Sequence, residues 1–161
     1  MKKIIKFILE YFEEILASIF IIITTGLVLV NIFFRYFLHS GIYWSEEVAT
    51  SCFVWSVFLG SASAYKRGMH LGVDILVNKM PGPLRKTVKL LVNMILVVIN
   101  GVIFYLSCKF VSLSYIKPTA VLGVSSAWVS SSLIVGFGLT TLYSVMHLIT
   151  CIRKLSKGEE V

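Results

Sequence analysis

Four stretches of this chain run for about 18 residues or more without an Asp, Glu, Lys or Arg, the length at which a helix can cross the hydrocarbon of a bilayer. They cover residues 15–34, 48–65, 90–108 and 127–152. Lipid offers the backbone no hydrogen-bond partner, so only helices and closed barrels cross it. These runs are continuously apolar rather than alternating, which selects helices. With their flanks the expected spans are residues 15–38, 46–65, 88–109 and 125–152, in a single all-α integral membrane domain covering residues 1–161. Pro81, Pro83 and Pro118 all fall between the runs, where an interrupted backbone can reach water.

Composition agrees. The chain is 57% hydrophobic and only 14% charged, against about 25% charged in an ordinary soluble domain. A formal net charge of +7 raises nucleic acid as a partner, but the basic residues flank apolar runs instead of forming one basic face, and the membrane reading fits them better. Cys52, Cys108 and Cys151 lie within or beside apolar segments without ligand spacing. They read as small apolar packing residues. Glu10, Glu13 and Glu14 interrupt the apolar stretch after Lys2 and Lys3, and no A-x-A site follows, so the N-terminus is expected to be retained.

Orientation follows from the Lys and Arg residues of the short flanks. The N-terminal segment, the second loop and the C-terminal segment together hold twelve, against three in the other two loops. Both termini are therefore expected on the cytoplasmic side. Residues 2–14 carry an apolar stripe at helical spacing, with Lys3, Lys6, Glu10, Glu13 and Glu14 opposite. This pattern predicts either an amphipathic helix in the headgroup plane or an extension of the first span. A second short interfacial segment is expected from His70 to Met80.

None of Asp, Glu, Lys or Arg lies near the middle of a span, although ion and solute paths are usually marked there by ionisable residues. No inverted repeat or Gly/Pro interruption of the kind that builds a midplane site is present either. Small residues are plentiful. Ala49, Cys52, Ser56, Gly60 and Ser63 share one face of the second run, and Ser132, Gly136, Thr140 and Ser144 are spaced by four in the last. Such stripes let helices approach closely in lipid, within this unit or against a partner.

Asn31-x-x-x-Arg35-Tyr36 is followed by Trp44-Ser45-Glu46-Glu47, then by Trp55, Phe58-Leu59-Gly60, Arg67-Gly68, His70-Leu71, Val73 and Asp74. With Pro118-Thr119-Ala120-x-Leu122-Gly123-Val124, Trp128 and Gly136-Phe137, this order resembles the small membrane subunit of tripartite ATP-independent periplasmic (TRAP) transporters. The resemblance extends over nearly the whole chain. Where family members often carry a tyrosine and a proline in the fourth helix, this chain has Ser130 and Ile134, so a kink there is not carried over. The resemblance implies a bacterial inner-membrane complex for organic-acid uptake of the dicarboxylate or sialic acid type. A separate large subunit would hold the substrate and sodium sites, and a periplasmic binding protein would deliver the solute. This chain would scaffold the large subunit, help dock the binding protein, and carry no cofactor or metal of its own.

The residues singled out as structural or partner-contact candidates are Asn31, Arg35, Trp44, Glu46, Glu47, Gly60, Arg67, Gly68, His70 and Asp74. Ser45 is expected to cap the second helix, with Glu46 and Glu47 in its first turn and Trp44 in the interfacial aromatic belt. Beyond that, Arg35 is expected to pair with Glu46 or Glu47, or these acids to face a partner. Arg67, Gly68, His70 and Asp74 are expected to position the interfacial segment. Two rival classes fit the residues less well. A haem-carrying anchor needs paired histidines in the bundle, whereas His39 and His70 fall in loops on opposite sides and leave His147 alone. A self-sufficient exporter or channel would normally carry an acid within a span.

Overall fold

The computed structural model describes residues 2–67 and 82–156, with side chains over residues 11–67 and 87–154. The described residues form four helices: α1 (Lys2–Phe37), α2 (Tyr43–Lys66), α3 (Gly82–Ser114) and α4 (Ala127–Ser156). Each contains one of the charge-free runs, and all four are long and apolar enough to cross a membrane. α1 is unbroken from Lys2, so the N-terminal stretch is continuous with the first span and not a separate helix. The residues expected to form the second interfacial segment lie outside those described.

The helices do not close into a four-sided bundle. Backbone contacts join α1 to α2, α2 to α4, and α4 to α3, and no other pair of helices is in backbone contact among the described residues. The result is an open row with α2 and α4 inside and α1 and α3 at its edges. α1 and α2 form an antiparallel hairpin crossed by polar rungs. Asn31 meets Ile42 and Glu46, Thr24 Oγ1 donates to the Ala49 carbonyl (3.3 Å), Ser56 Oγ donates to the Ala17 carbonyl (3.0 Å), and Ser63 meets Glu14. Ala17, Thr24 and Asn31 of α1, and Ala49, Ser56 and Ser63 of α2, recur every seven residues, the seam of a left-handed helix pair.

The interior is made of small and polar residues, the reverse of a soluble core. Leu59 is the largest buried apolar side chain, accompanied by Ala49, Ala62 and Cys151, whereas Ser45, Ser132 and Ser144 are almost fully enclosed. The two stripes read from the sequence behave differently. Ser132, Gly136, Thr140 and Ser144 are all buried. At Gly136 an added Cβ would stand 2.8 Å from the Phe58 Cβ and 3.2 Å from the Phe58 carbonyl oxygen, so α2 and α4 approach as closely as glycine allows. Gly60, on the α2 stripe, has open space where a Cβ would go.

Candidate functional site

The end of the row that carries the 38–42 and 115–126 connections, here the loop end, gathers five of the ten candidate residues. α1 ends where His39 takes a left-handed φ of 50° and the Ser40 amide returns to the Phe34 carbonyl (3.3 Å). α2 then begins at Tyr43, with Ile42 in the cap position and no cap from its own side chain. Ser45 is not the cap: it lies inside the helix, and its hydroxyl donates to the Ile42 carbonyl (2.9 Å). The Ile42 amide is satisfied instead by Asn31 Oδ1 at 2.8 Å, reaching across from α1. The same side chain donates from Nδ2 to Glu46 (3.3 Å). Asn31 thus ties both helices of the hairpin through its two amide atoms.

The expected pairing of Arg35 with Glu46 or Glu47 does not form. Arg35 lines the same cavities as Glu46, one of about 390 Å³ with His39, Gly41 and Tyr43, but its guanidinium makes no ion pair with either acid. The physical reason is competition: each carboxylate already accepts from an amide, a side-chain amide at Glu46 and two backbone amides at Glu47. Glu46 takes the Asn31 amide, and Glu47 turns the other way. Its Oε2 accepts the backbone N–H groups of Val121 (2.8 Å) and Leu122 (3.3 Å) in the α3–α4 connection. That connection is a tight turn. Pro118 and Ser125 form an isolated antiparallel bridge, the Thr119 amide donates to the Val124 carbonyl at 2.7 Å, and Gly123 occupies the left-handed region at φ +66°, which glycine enters without cost. Two segments more than 70 residues apart are joined by one carboxylate. Hydrogen bonds to a charged acceptor contribute about 1.5–3 kcal/mol, less in this exposed setting. Glu47→Ala is therefore expected to raise amide hydrogen exchange at Val121 and Leu122 by about tenfold, and Glu46→Ala to leave both unchanged.

Trp44 is half exposed and Tyr43 more so, a placement that suits an aromatic belt. Trp55 lies deeper, packed between Phe20 of α1 and Trp128 of α4, with ring centroids 5.9 and 6.0 Å away. His147 contacts the Tyr65 ring, a packing position between α4 and α2.

At the opposite, terminal end the structure holds a cluster that the residue pattern did not single out. Glu13, 5% exposed, accepts from the Tyr143 hydroxyl of α4 in a short hydrogen bond and from Lys66 Nζ of α2 at 3.2 Å. Glu14 accepts from Ser63 Oγ and from Arg67 Nε, both at 2.8 Å. Arg67 therefore serves the α1–α2 contact, with its guanidinium 5.4 Å from the Tyr11 ring centre. The residue pattern put Glu13 and Glu14 on the polar side of either a helix in the headgroup plane or an extension of the first span. They turn inward because α1 is one helix, so the face bearing Glu13, Ala17, Thr24 and Asn31 runs unbroken along α2. That polar and small stripe was the available signal. Gly68, His70 and Asp74 lie outside the described residues. No group of three or more His, Cys, Asp or Glu that could hold a metal occurs among the described residues.

Comparison with known proteins agrees with this architecture. Residues 24–154 match the family model described as tripartite ATP-independent periplasmic transporters, DctQ component. The sialic acid TRAP transporter small permease protein SiaQ of Vibrio cholerae is 27% identical over 97% of this chain and 90% of its own length. The C4-dicarboxylate TRAP transporter small permease protein DctQ of the same organism is 38% identical over 46% of this chain and 32% of its own. The sialic acid TRAP transporter permease protein SiaT of Haemophilus influenzae is 28% identical over 75% of this chain, which spans a fifth (20%) of that protein. These relatives are transporter subunits and not enzymes. Four membrane-length helices and a family match over most of its length establish that this chain belongs to the TRAP transporter small permease subunits, multi-pass proteins of the bacterial inner membrane.

Proposed function

We propose that this subunit is a scaffold for a separate large permease subunit, which carries the substrate and sodium sites and performs the transport movement. The observation that supports this reading is the distribution of charge. Among the described residues, Asp, Glu, Lys and Arg stand only toward the ends of the helices, and none lies between Glu14 and Arg35, Glu47 and Lys66, Lys89 and Lys109, or Ala127 and Ile152. A path for an ion and an organic acid is usually marked by ionisable groups at depth, and on this reading another chain supplies them. The open row suits a scaffold, because Ile22 and Leu29 of α1 and Val98 and Leu106 of α3 are exposed along its edges. Both termini are assigned to the cytoplasm from the Lys and Arg distribution, which puts Trp44, Glu46 and Glu47 on the periplasmic side, where a binding protein arrives. The substrate is assigned to the organic acids on the family likeness alone.

Proteoliposomes containing this chain alone are expected to show no sodium-dependent uptake of succinate or sialic acid, and uptake is expected once the large subunit and the binding protein are added. Sodium-coupled uptake by the isolated chain would refute the scaffold reading. In the complete system Glu46→Gln with Glu47→Gln is expected to lower uptake; unchanged uptake and assembly would remove the docking role of these acids. Reporter fusions at the two termini check the orientation.

A further inference from the structure

Between Lys109 and Arg153 the chain carries a single Asp, Glu, Lys or Arg, which is Lys117. The connection between α3 and α4 lies inside that interval, and its outer surface is apolar: Ile116 is 84% exposed and Val121 54%. Contiguous exposed apolar surface marks contact with a membrane or a partner. At the same end of the row Phe37 of α1, Tyr43 of α2, Leu113 of α3 and Trp128 of α4 are exposed as well. The apolar surface therefore continues onto every helix, whereas a partner subunit seated on one side of the row would cover only part of it.

The backbone of the turn is satisfied from within the chain. At its base the Ser126 amide donates to the Lys117 carbonyl at 2.8 Å, and Ser125 Oγ donates to the Tyr115 carbonyl at 2.9 Å. Nearer the tip the Thr119 amide donates to the Val124 carbonyl, and the Val124 amide donates to Thr119 Oγ1 at 3.1 Å. For Val121 and Leu122 at the tip the acceptor comes from α2, in Glu47. In water these two amides need no acceptor from another helix, but in lipid an unbonded amide is costly. Glu47 also fixes the height of the tip. It stands about 6 Å along the helix axis from Tyr43, where α2 begins, so the tip folds back beside the end of the span. A carboxylate is tolerated there because charge is cheap near a helix end, where the headgroup layer is hydrated.

We infer that the α3–α4 turn is a lipid-contacting segment, lying at the boundary of headgroups and acyl chains, with Ile116 and Val121 on the acyl side and Lys117 reaching the headgroup phosphates. Glu47 is the acceptor that lets its tip leave water.

The test uses the full chain with Cys52→Ala, Cys108→Ala and Cys151→Ala, a nitroxide carried on Val121→Cys, and phosphatidylcholine vesicles. Collisions with oxygen, which partitions into lipid, are expected to exceed those with a water-soluble nickel chelate several-fold, as at a nitroxide on Leu113→Cys. Adding Glu47→Ala is expected to reverse the preference at Val121 and to leave that at Leu113 unchanged, because the freed amides then take water. A preference for nickel at Val121 with Glu47 in place would overturn the assignment, and one that Glu47→Ala does not move would overturn the role given to Glu47. Should the cysteine-free chain not fold, the unaltered chain is illuminated in vesicles holding a phospholipid with a diazirine on the upper part of one acyl chain. Adducts are then expected within residues 115–126, and adducts confined to the helices would overturn the assignment. Loss of the oxygen preference once the large subunit is added would make that subunit the cover, and the lipid assignment would fall even with the scaffold reading intact.

Discussion

Gly136→Val is expected to abolish assembly of a monodisperse subunit. A Cβ at this position would enter within 2.8 Å of the Phe58 Cβ and 3.2 Å of its carbonyl oxygen. Neither obstacle is the far end of a flexible side chain, so relief requires α2 and α4 to separate. Inserting atoms into a tight contact costs about 1–3 kcal/mol. In lipid no hydrophobic force holds the helices together once close packing is lost, and α4 is the link between α2 and α3 in this row. Gly136→Ala is expected to fall between wild type and Gly136→Val. Gly60→Ala is the control: with nothing within 4 Å of the new methyl, the isolated subunit should be as stable as wild type or slightly more so, because alanine is the better helix former. Size-exclusion profiles and thermal unfolding midpoints in detergent check the series. An unaltered profile for Gly136→Val would show that the close approach of the two helices is unnecessary. If Gly60→Ala harms only the complex with the large subunit, the open surface at Gly60 is a partner contact.

The second large effect is expected at Glu13, where Glu13→Ala should lower the stability of the subunit by about 2–3 kcal/mol. Breaking a fully buried ion pair costs about 3–5 kcal/mol. The value here is set lower because the Lys66 side chain keeps 28% of its exposure. The substitution withdraws the acceptor shared by Tyr143 and Lys66 and removes the side-chain contact between α1 and α4. Tyr143→Phe deletes a single hydroxyl and should cost about 1 kcal/mol. A double-mutant cycle of Glu13→Gln with Tyr143→Phe, read from thermal midpoints, should give a coupling of about 0.5–3 kcal/mol. Additive effects would mean that the two side chains do not act as a unit. At the loop end, by contrast, Glu46→Ala should have little effect on subunit stability, since its Asn31 contact is exposed.

The individual elements show how far the residue pattern reached. The four spans were legible because an unsolvated backbone in hydrocarbon leaves only one arrangement for a long charge-free run, and each run lies within one helix. The α4 stripe of Ser132, Gly136, Thr140 and Ser144 was legible as a packing surface, but not which neighbour it would meet. The Arg35 pairing was misread because opposite charges near each other in the chain look like partners. Instead the Asn31 side-chain amide donates to Glu46, and the backbone amides of Val121 and Leu122 donate to Glu47. For residues 2–14 the pattern left open a helix in the headgroup plane or an extension of the first span, and α1 runs on from Lys2; the partners of Glu13 and Glu14 were not legible, because a helix period assigns a residue to a face without saying what lies opposite that face.

From its sequence alone this chain is a membrane protein of four helices with electrically empty centres, because apolar length and the position of charges are local properties that any solvent reads the same way. Only the tertiary structure decided that the helices form an open row, that Glu13 joins three of them, and that Glu47 holds a turn over 70 residues away. Those features depend on which faces meet and at what distance. Small side chains permit many such meetings in lipid, and the choice among them rests on steric fit at positions such as Gly136 and Phe58.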